Sequence, residues 1–275
     1  MQAGIVGLGL IGGSLGLALK ETRLFKNILG YDVNPLHQQQ ALNLGLIDEC
    51  VSLDEISSSD VIFIAVPLDV VATIINGFKN IAPNQTIIDL GSTKSLIASL
   101  INSSIRKNYV GAHPMSGTEY SGPKAAKKDL FKNNILILTD TEQSGEFQIA
   151  FTKDIFVSLG MQIIKMNSYN HDAHIAYISH LPHILSFALA NTVLGQEKPE
   201  NILALIGGGF RDTSRLSKSS PITWCNIFKH NKTHLLESIS EFEKNIALAK
   251  TYIKNEEWDK LENWMRMANS LYEFL

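Results

Sequence analysis

The stretch Gly7-Leu8-Gly9-Leu10-Ile11-Gly12 decides the fold, because it places three glycines at GxGxxG spacing between a short apolar run and a helix-forming segment. Gly7 permits a tight turn, Gly9 lets the backbone approach a pyrophosphate, and Gly12 lets the helix pack closely on the strand. The amino terminus of the helix then faces the phosphate charge. The motif predicts a dinucleotide-binding domain.

A carboxylate stands where such a domain needs one. The next β-branched run, Ile28 to Tyr31, ends at Asp32, about 20 residues after Gly12, where an acidic side chain accepts hydrogen bonds from the adenosine ribose. No arginine follows in Val33 to Pro35 to meet a 2′-phosphate, so NAD is expected rather than NADP. The alternative is that Asp32 is only a turn residue. The residues expected to bind the cofactor are Gly7, Gly9, Leu10, Ile11, Gly12, Asp32 and Pro67.

The first part of the chain alternates short β-branched runs with helical patterns, which is typical of βαβ units. Several runs are apolar on both faces, as expected for a sheet covered by helices on each side. The pattern predicts an α/β, Rossmann-type, doubly wound and mostly parallel sheet in residues 1–167, followed by an all-α domain in residues 168–275. The predicted strands are Ala3–Val6, Ile28–Tyr31, Val61–Ala65, Thr86–Asp89, Tyr109–Ala112, Ile135–Leu138 and Gln162–Lys165.

Two helical segments near the carboxyl terminus carry apolar residues at alternating steps of four and three, a heptad spacing. These residues are Leu235, Ile239, Phe242, Ile246, Ala249 and Ile253, then Trp258, Leu261, Met265, Ala268 and Tyr272. Apolar stripes of this kind require a partner surface. A homodimer through the helical domain is expected, with packing inside one chain as the alternative.

The bulk composition excludes several classes of protein. The 275 residues carry a net charge of −3 without charged blocks, so nucleic acid is not an expected partner. Cys50 and Cys225 lack disulfide or zinc-site spacing, and no metal is expected. The longest apolar stretch, Val61 to Ile75, contains Pro67 and Asp69, and no export signal precedes the first strand. A cytoplasmic protein without membrane contact is expected.

Residues that follow the strands should carry the chemistry, because ligands bind outside the carboxyl ends of strands in such sheets. His113 follows one predicted strand and is expected to be the base that takes a hydroxyl proton during hydride transfer. Ser92 is expected to hydrogen-bond the same hydroxyl or to fix the imidazole tautomer, with a helix cap as its alternative role. Lys94 either approaches a ligand or is a solvated charge.

The helical part adds four histidines: His171, His174, His180 and His183. In a regular helix His171 lies opposite His180, so one shared metal site is not expected, and Pro182 is expected to kink this helix. Gly207 to Arg215 combines glycines that admit a ligand with arginines that grip carboxylates, or else forms a flexible loop. Trp224 walls a pocket or fills the core.

Four segments together resemble the prephenate and arogenate dehydrogenases of tyrosine biosynthesis: GLGLIGGSLGLAL at 7–19, GAHPMSGTE at 111–119, SHLPH at 179–183 and GGGFRDTSRL at 207–216. The resemblance implies NAD-dependent oxidative decarboxylation of prephenate to 4-hydroxyphenylpyruvate by a homodimer. It implies His113 and Ser92 as catalytic residues and Arg215 as the carboxylate ligand. The further substrate-binding residues it implies are His180, His183, Thr118, Gly207 and Trp224, the last able to reach a neighbouring subunit.

Three other interpretations stay open. The resemblance allows arogenate as substrate instead of prephenate. A β-hydroxyacid dehydrogenase also joins a GxGxxG domain to helices, although it usually has a catalytic lysine where SHLPH stands here. A non-catalytic NAD-binding sensor needs only the glycine motif. The resemblance places Glu119, Arg211 and Asp212 at the cleft entrance without fixing their roles, and feedback by tyrosine is undetermined.

Overall fold

One eight-stranded sheet organises the amino-terminal half of the computed structural model, which describes residues 1–118, 120–196 and 198–274. The strand order is β3-β2-β1-β4-β5-β6-β7-β8. All neighbours are parallel except β6 and β7, which pair antiparallel. The predicted doubly wound, mostly parallel sheet is therefore confirmed. The strands are β1 Gln2–Val6, β2 Asn27–Tyr31, β3 Glu49–Cys50, β4 Val61–Ile64, β5 Thr86–Asp89, β6 Tyr109–Pro114, β7 Ile135–Thr139 and β8 Gln162–Met166.

Helices cover both faces of this sheet, and each face has its own apolar core. Successive strand residues point to opposite faces, so Phe63 belongs to one core while Ile62 and Ile64 belong to the other. This explains why the central strands are apolar throughout. Strand β3 was not predicted, because two residues carry no readable alternation. The helices are α1 Leu10–Thr22, α2 Pro35–Asn43, α3 Leu53–Ile56, α4 Leu68–Gly77, α5 Ser95–Leu100 and α6 Glu146–Ser158.

The glycine motif forms the turn between β1 and α1. Gly7 has φ of +92°, and a Cβ there would collide with the carbonyl oxygen of Ala65. A Cβ on Gly12 would collide with the carbonyl oxygen of Gly7, whereas one on Gly9 would meet nothing within 4 Å. Two glycines thus close the turn, and the third leaves an open approach to the backbone.

The carboxyl-terminal half is helical, as predicted, but its first helix is not regular. α7 Ser168–Ile175 continues into a π-helical turn, Ala176–His180, and then into α8 Leu181–Leu194. Pro182 lacks the N–H that a regular helix would use, and the wider π turn lies directly before it. The further helices are α9 Pro199–Leu203, α10 Gly208–Ser214, α11 Pro221–His230, α12 Lys232–Lys254 and α13 Trp258–Asn269.

The π turn changes the angular relation that a regular helix predicts. His171 and His180 are 0% and 1% exposed, so both histidines face the interior. The helix between them is not regular, so the opposite placement expected for a regular helix does not apply here. A π turn takes more residues per revolution than an α turn, so each of its residues adds less rotation, and this changes the side of the helix on which His180 lies.

The heptad residues of α12 and α13 divide into a buried and an exposed group. Leu235, at the start of α12, is 6% exposed and packs within the chain. Further along, Ile246 and Ile253 are more than half exposed, and Trp258 and Tyr272 are exposed as well. The single chain therefore leaves most of the stripe uncovered. Within the described residues, none of the helices combines the length and apolarity that a bilayer span requires.

Candidate active site

His113, the residue expected to act as the base, lies inside a strand and not after it. His113 is the fifth residue of β6, and it pairs with Ile137 of the antiparallel strand β7. The pairing continues beyond Pro114, since the Met115 N–H donates to the carbonyl of Ile135 at 2.8 Å. The predicted strand end at Ala112 was therefore too early. The extra pairing with β7 holds the His113 backbone rigidly at this edge of the sheet.

A chain of hydrogen bonds runs from His113 into the helical half. Nδ1 of His113 lies 2.8 Å from Nε2 of His171, and Nδ1 of His171 lies 2.8 Å from Oδ1 of Asp172. His171 and Asp172 are buried, while His113 is half-buried. The imidazole of His113 is thus anchored through one nitrogen, and its other nitrogen takes no part in this chain.

The carboxylate at the end of this chain also caps a helix. Backbone N–H groups of Lys94 and Ser95, at the start of α5, donate to Asp172 at 2.9 and 2.8 Å. Burial alone would raise the pKa of Asp172, but the hydrogen bonds from His171, Ser95 and Lys94 outweigh it and lower the pKa below its usual value. Asp172 is therefore ionised at neutral pH.

The pKa of His113 is lowered well below its usual value. Burial is the main cause, followed by electrostatic interactions with His171, Lys94 and His180. His113 is consequently a neutral imidazole at neutral pH, which is the form that a proton acceptor needs.

Lys94 is neither a ligand-facing nor a solvated charge, and both expectations for it were wrong. Its side chain is fully buried and its Nζ lies 2.7 Å from Oδ2 of Asp89, which also accepts a hydrogen bond from the Tyr109 hydroxyl at 3.0 Å. Burial lowers the pKa of Lys94 and Asp89 counteracts this. Lys94 forms a buried ion pair beneath the edge of the sheet.

Ser92 lies on the segment between β5 and α5 and is half-buried. No hydrogen bond joins it to His113 in the described part of the chain, where His171 contacts Nδ1 of that imidazole instead. The alternative role as a helix cap is not seen either, because the N-cap position of α5 is Lys94. A contact of Ser92 with a substrate hydroxyl stays a prediction.

On the helical side, His180 faces the same interior region. Asn231 donates through Nδ2 to Nδ1 of His180 at 3.1 Å, and it also donates to the carbonyl of Asp172 at 2.7 Å. Burial lowers the pKa of His180 to about 4. The rings of Trp224 and Phe228 meet the imidazole edge to face. His180 is therefore a neutral, firmly held group.

His183 lies one helical turn further along. Its Nδ1–H donates to the carbonyl of Ser179 at 2.8 Å, and its ring stacks on Trp224. Burial lowers its pKa, the bond to Ser179 opposes this, and the nearby charge of Arg215 lowers the pKa further. His183 thus stacks on Trp224 and lies within electrostatic reach of Arg215. In the single chain Trp224 lies against His180 and His183, and its reach to a neighbouring subunit, which the resemblance implied, stays a prediction.

The glycine-rich segment is helical, so the interpretation as a flexible loop was wrong. Gly207 is the N-cap of α10, and a Cβ at Gly207 would meet nothing within 4 Å. Arg211 and Asp212 are exposed on this helix, and Arg215 follows it. Thr118 is half-buried and accepts a hydrogen bond from the Tyr120 N–H at 3.3 Å. Glu119 lies outside the described residues.

The open glycine turn and Asp32 form the part of the molecule that fits a dinucleotide. Oδ2 of Asp32 accepts from the Leu8 N–H at 2.8 Å, and Oδ1 accepts from the Asn34 N–H at 2.9 Å. His37 lies 3.4 Å from the same carboxylate. A carboxylate has about four acceptor positions, so Asp32 keeps capacity for a ribose hydroxyl while fixing the turn. Pro67 is the N-cap of α4 at the same edge of the sheet.

Sequence reasoning missed the two residues behind His113. His171 was considered only as a possible metal ligand, and Asp172 was not considered at all. The available signal was the dipeptide His171-Asp172 in the first helix after the sheet, since a carboxylate next to a histidine often orients it. Among the described residues, no group of three or more His, Cys, Asp or Glu side chains is arranged to hold a metal ion.

Comparison with known proteins gives the same family for both halves of the chain. Residues 15–165 match the family described as "Prephenate dehydrogenase, nucleotide-binding domain", and residues 167–267 match "Prephenate dehydrogenase, dimerization domain". The prephenate dehydrogenase of Bacillus subtilis strain 168 is 31% identical over 274 residues, covering 96% of this chain and 73% of that protein.

Solved structures agree with this match. A crystal structure of Aquifex aeolicus prephenate dehydrogenase in complex with hydroxyphenyl propionate and NAD+ has a TM-score of 0.93 and 30% identity, covering 99% of this chain and 97% of that one. A Synechocystis arogenate dehydrogenase has a TM-score of 0.83 and 28% identity, covering 99% of both chains. With family matches across both halves and a fold shared along the whole chain, this protein belongs to the prephenate dehydrogenase family.

Proposed function

We propose that this chain catalyses the NAD-dependent oxidative decarboxylation of prephenate to 4-hydroxyphenylpyruvate, a step of tyrosine biosynthesis. The observation that carries the proposal is the anchored, neutral imidazole of His113 at the edge of the sheet that also bears the glycine turn. A base in this place suits the oxidation of a ring alcohol, because the hydroxyl proton must leave as the hydride leaves.

His113 is the proposed general base. Its neutral form accepts the proton of the ring hydroxyl, the ring C–H bond is broken as hydride leaves, and the ring carboxylate departs as carbon dioxide to give an aromatic ring. His113 then returns the proton to the ring oxygen, so that the product is a phenol. Ser92 is the proposed hydrogen-bond partner of the same hydroxyl. The buried Asp172 carboxylate, two hydrogen bonds away, stabilises the positive charge that His113 gains.

The proposed cofactor-binding residues are Gly7, Gly9, Leu10, Ile11, Gly12, Asp32 and Pro67. NAD, when bound, supplies the acceptor for the hydride. The open backbone at Gly9 leaves room for a pyrophosphate, and the fixed carboxylate of Asp32 accepts from a ribose hydroxyl while repelling a 2′-phosphate. The NAD+ bound to the Aquifex aeolicus relative supports the same cofactor here.

The proposed substrate contacts come from the helical half. Arg215 carries the positive charge that a substrate carboxylate needs, and it is close enough to His183 to affect the pKa of that imidazole. Because Nδ1–H of His183 is committed to Ser179, its Nε2 is an acceptor for a substrate group. His180, Thr118 and Gly207 complete the proposed set.

Arogenate is the second candidate substrate. It differs from prephenate only in an amino group where prephenate has a keto group, and the Synechocystis relative is an arogenate dehydrogenase with the same fold. His113 and Ser92, proposed to act on the ring hydroxyl, and Arg215, proposed to bind a carboxylate, serve either substrate equally. Discrimination between prephenate and arogenate therefore rests on the contact that the protein makes with the keto or amino group of the substrate.

We also propose the domain division and assembly that the sequence indicates. Residues 1–167 form the dinucleotide-binding domain, and residues 168–275 form the helical domain that pairs two copies of the chain. The exposed apolar residues of α12 and α13 support this, since a monomer rarely leaves such a stripe in water. The match to a dimerization domain supports it as well.

The decisive experiment is to follow NADH or NADPH formation by purified protein with prephenate and, separately, with arogenate, each with NAD and with NADP. Turnover with prephenate and NAD is the expected result. Turnover only with arogenate would keep the roles of His113 and Arg215 and change the substrate. Turnover with NADP in preference to NAD would contradict the role of Asp32, and no turnover in any combination would refute the proposed function.

A further inference from the structure

His171 has no role of its own in the reaction as described so far, yet its ring contacts His113 directly and joins it to Asp172. His171 is completely buried and Asp172 is 2% exposed, and neither has solvent to satisfy its polar atoms. Each ring nitrogen of His171 and each carboxylate oxygen of Asp172 instead has a defined partner. These partners are His113, the backbone N–H groups at the start of α5, and the other residue of the pair. A satisfied buried network of this kind holds its members in one arrangement.

The network permits only one distribution of protons when both histidines are neutral. The ionised Asp172 accepts only, so Nδ1 of His171 must carry the hydrogen of that bond. Nε2 of His171 then has a lone pair, and Nδ1 of His113 must donate to it. The remaining nitrogen of His113, Nε2, is left with the lone pair that accepts a proton.

The carboxylate of Asp172, from which this order of hydrogen bonds follows, is itself fixed. Two backbone N–H groups of α5 hold its oxygens, and Asn231 holds the backbone carbonyl of Asp172 from the start of α12. The dipeptide His171-Asp172 therefore cannot turn away without leaving several buried groups unpaired.

We propose that His171 and Asp172 are positioning residues that keep His113 in the tautomer with hydrogen on Nδ1 and the lone pair on Nε2. The inference rests on the proposed function only for its kinetic consequence, since the tautomer itself is a property of the free protein. Neither His171 nor Asp172 gains or loses a proton during the step. When His113 takes the hydroxyl proton at Nε2, its Nδ1–H bond to His171 stays in place.

The first test measures the tautomer directly. Nitrogen-15 NMR of histidine-labelled protein without cofactor or substrate distinguishes a protonated from an unprotonated ring nitrogen, and the His113→Asn variant identifies the signals of His113. The expected result at neutral pH is a protonated Nδ1 and an unprotonated Nε2. A proton on Nε2 of His113 in the wild-type protein would overturn the inference, whatever the enzymatic activity.

The second test uses a pair of substitutions at His171. Glutamine places an oxygen the same number of bonds from Cα as Nε2, so His171→Gln keeps the acceptor, whereas His171→Leu removes it. With Leu we expect kcat to fall about 10²-fold, the lower range for loss of a positioned base, with KM changed less than roughly threefold. With Gln we expect most of kcat to return, and the exposed His174→Leu on the same helix is the control.

The two tests separate this inference from the proposed function. If the wild-type protein turns over none of the substrates but carries the Nδ1–H tautomer, the positioning role stands and the proposed reaction is wrong. If His171→Leu folds and keeps both the tautomer and kcat, the positioning role is wrong and the reaction stands. If His171→Leu fails to fold, the wild-type spectrum and the Gln variant decide.

Discussion

The imidazole ring of His183 stacks on the indole ring of Trp224, with ring centroids 3.4 Å apart and ring planes 20° apart. The stack joins α8 to α11, and it holds the imidazole plane while the bond to Ser179 fixes its rotation. His183 is thus oriented by two independent contacts. The proposed carboxylate ligand Arg215 is close enough to affect its pKa.

Shortening Trp224 should weaken substrate binding by releasing His183. Trp224→Ala removes the stacked ring, so we expect KM for the substrate to rise roughly tenfold, which corresponds to the loss of about 1.4 kcal/mol. Trp224→Phe keeps an aromatic face and should change KM less than about threefold. Steady-state kinetics at saturating NAD measures both. A Trp224→Ala variant with the KM of wild type would show that the stack has no part in binding.

Replacing the proposed base should stop chemistry without stopping cofactor binding. His113→Asn removes the proton acceptor, and turnover should fall by at least ~10²-fold, the lower range for a positioned general base. Binding of NAD, measured by calorimetry, should stay within about threefold of wild type, because the glycine turn and Asp32 are untouched. A variant with near-normal turnover would contradict the role of His113.

Removing the positive charge of Arg215 should act mainly on KM. A charge-assisted hydrogen bond to a carboxylate contributes about 1.5–3 kcal/mol, so Arg215→Ala should raise KM for the substrate about 10- to 100-fold. The carboxylate is present before and during the reaction, so kcat should change little. Lys218→Ala, in the same exposed turn, is the control and should behave as wild type. An unchanged KM in Arg215→Ala would rule out the proposed contact.

The low pKa of His180 makes stability depend on pH. Burial lowers this pKa from 6.5 to about 4 in the folded chain, so between these values the unfolded chain binds a proton that the folded chain does not. The contribution of His180 to the free energy of unfolding should therefore be fully present above pH 6.5 and decrease as pH falls toward 4. The contribution of this one group is on the order of 3 kcal/mol.

Urea unfolding of wild type and His180→Asn from pH 4 to pH 8 measures this effect. Asparagine retains an acceptor for Asn231 but does not titrate, so its curve should be flatter over this range. The buried or half-buried His113, His183 and His230 also have lowered pKa values and supply the remaining slope. Parallel curves for the two proteins would mean that His180 is not the source.

A charge placed on the exposed apolar stripe should separate the proposed dimer. Ile246 is 51% exposed in the single chain, and Ile246→Glu would bury an unpaired carboxylate in the interface. Sedimentation velocity at micromolar concentration should show dimers for wild type and a dimer Kd at least about 100-fold higher for the variant. Asn245→Glu, on the neighbouring exposed position, is the control. A variant that dimerises like wild type would place the interface elsewhere.

The sequence was sufficient for the architecture because local patterns determine it. The glycine spacing and the runs that are apolar on both faces, such as Val61–Ile64, predicted the turn and the parallel sheet. Both follow from backbone sterics and from burial on two sides, which are properties of neighbouring residues. Strand β3 was not predicted because only two residues form it. The extension of β6 to Pro114 was missed because pairing with β7 causes it, and that pairing is not local.

The sequence also named most of the proposed site residues by itself, but not how they act together. That His113 is held through His171 by Asp172, residues that are 58 and 59 positions away, depends on helix α7 docking against the sheet edge. The inward turn of His180 depends on a π turn, and the burial of Lys94 depends on its pairing with Asp89. Residue types and their local spacing are encoded along the chain, whereas proton positions and pKa values are set by contacts that exist only after the two halves of the chain pack together.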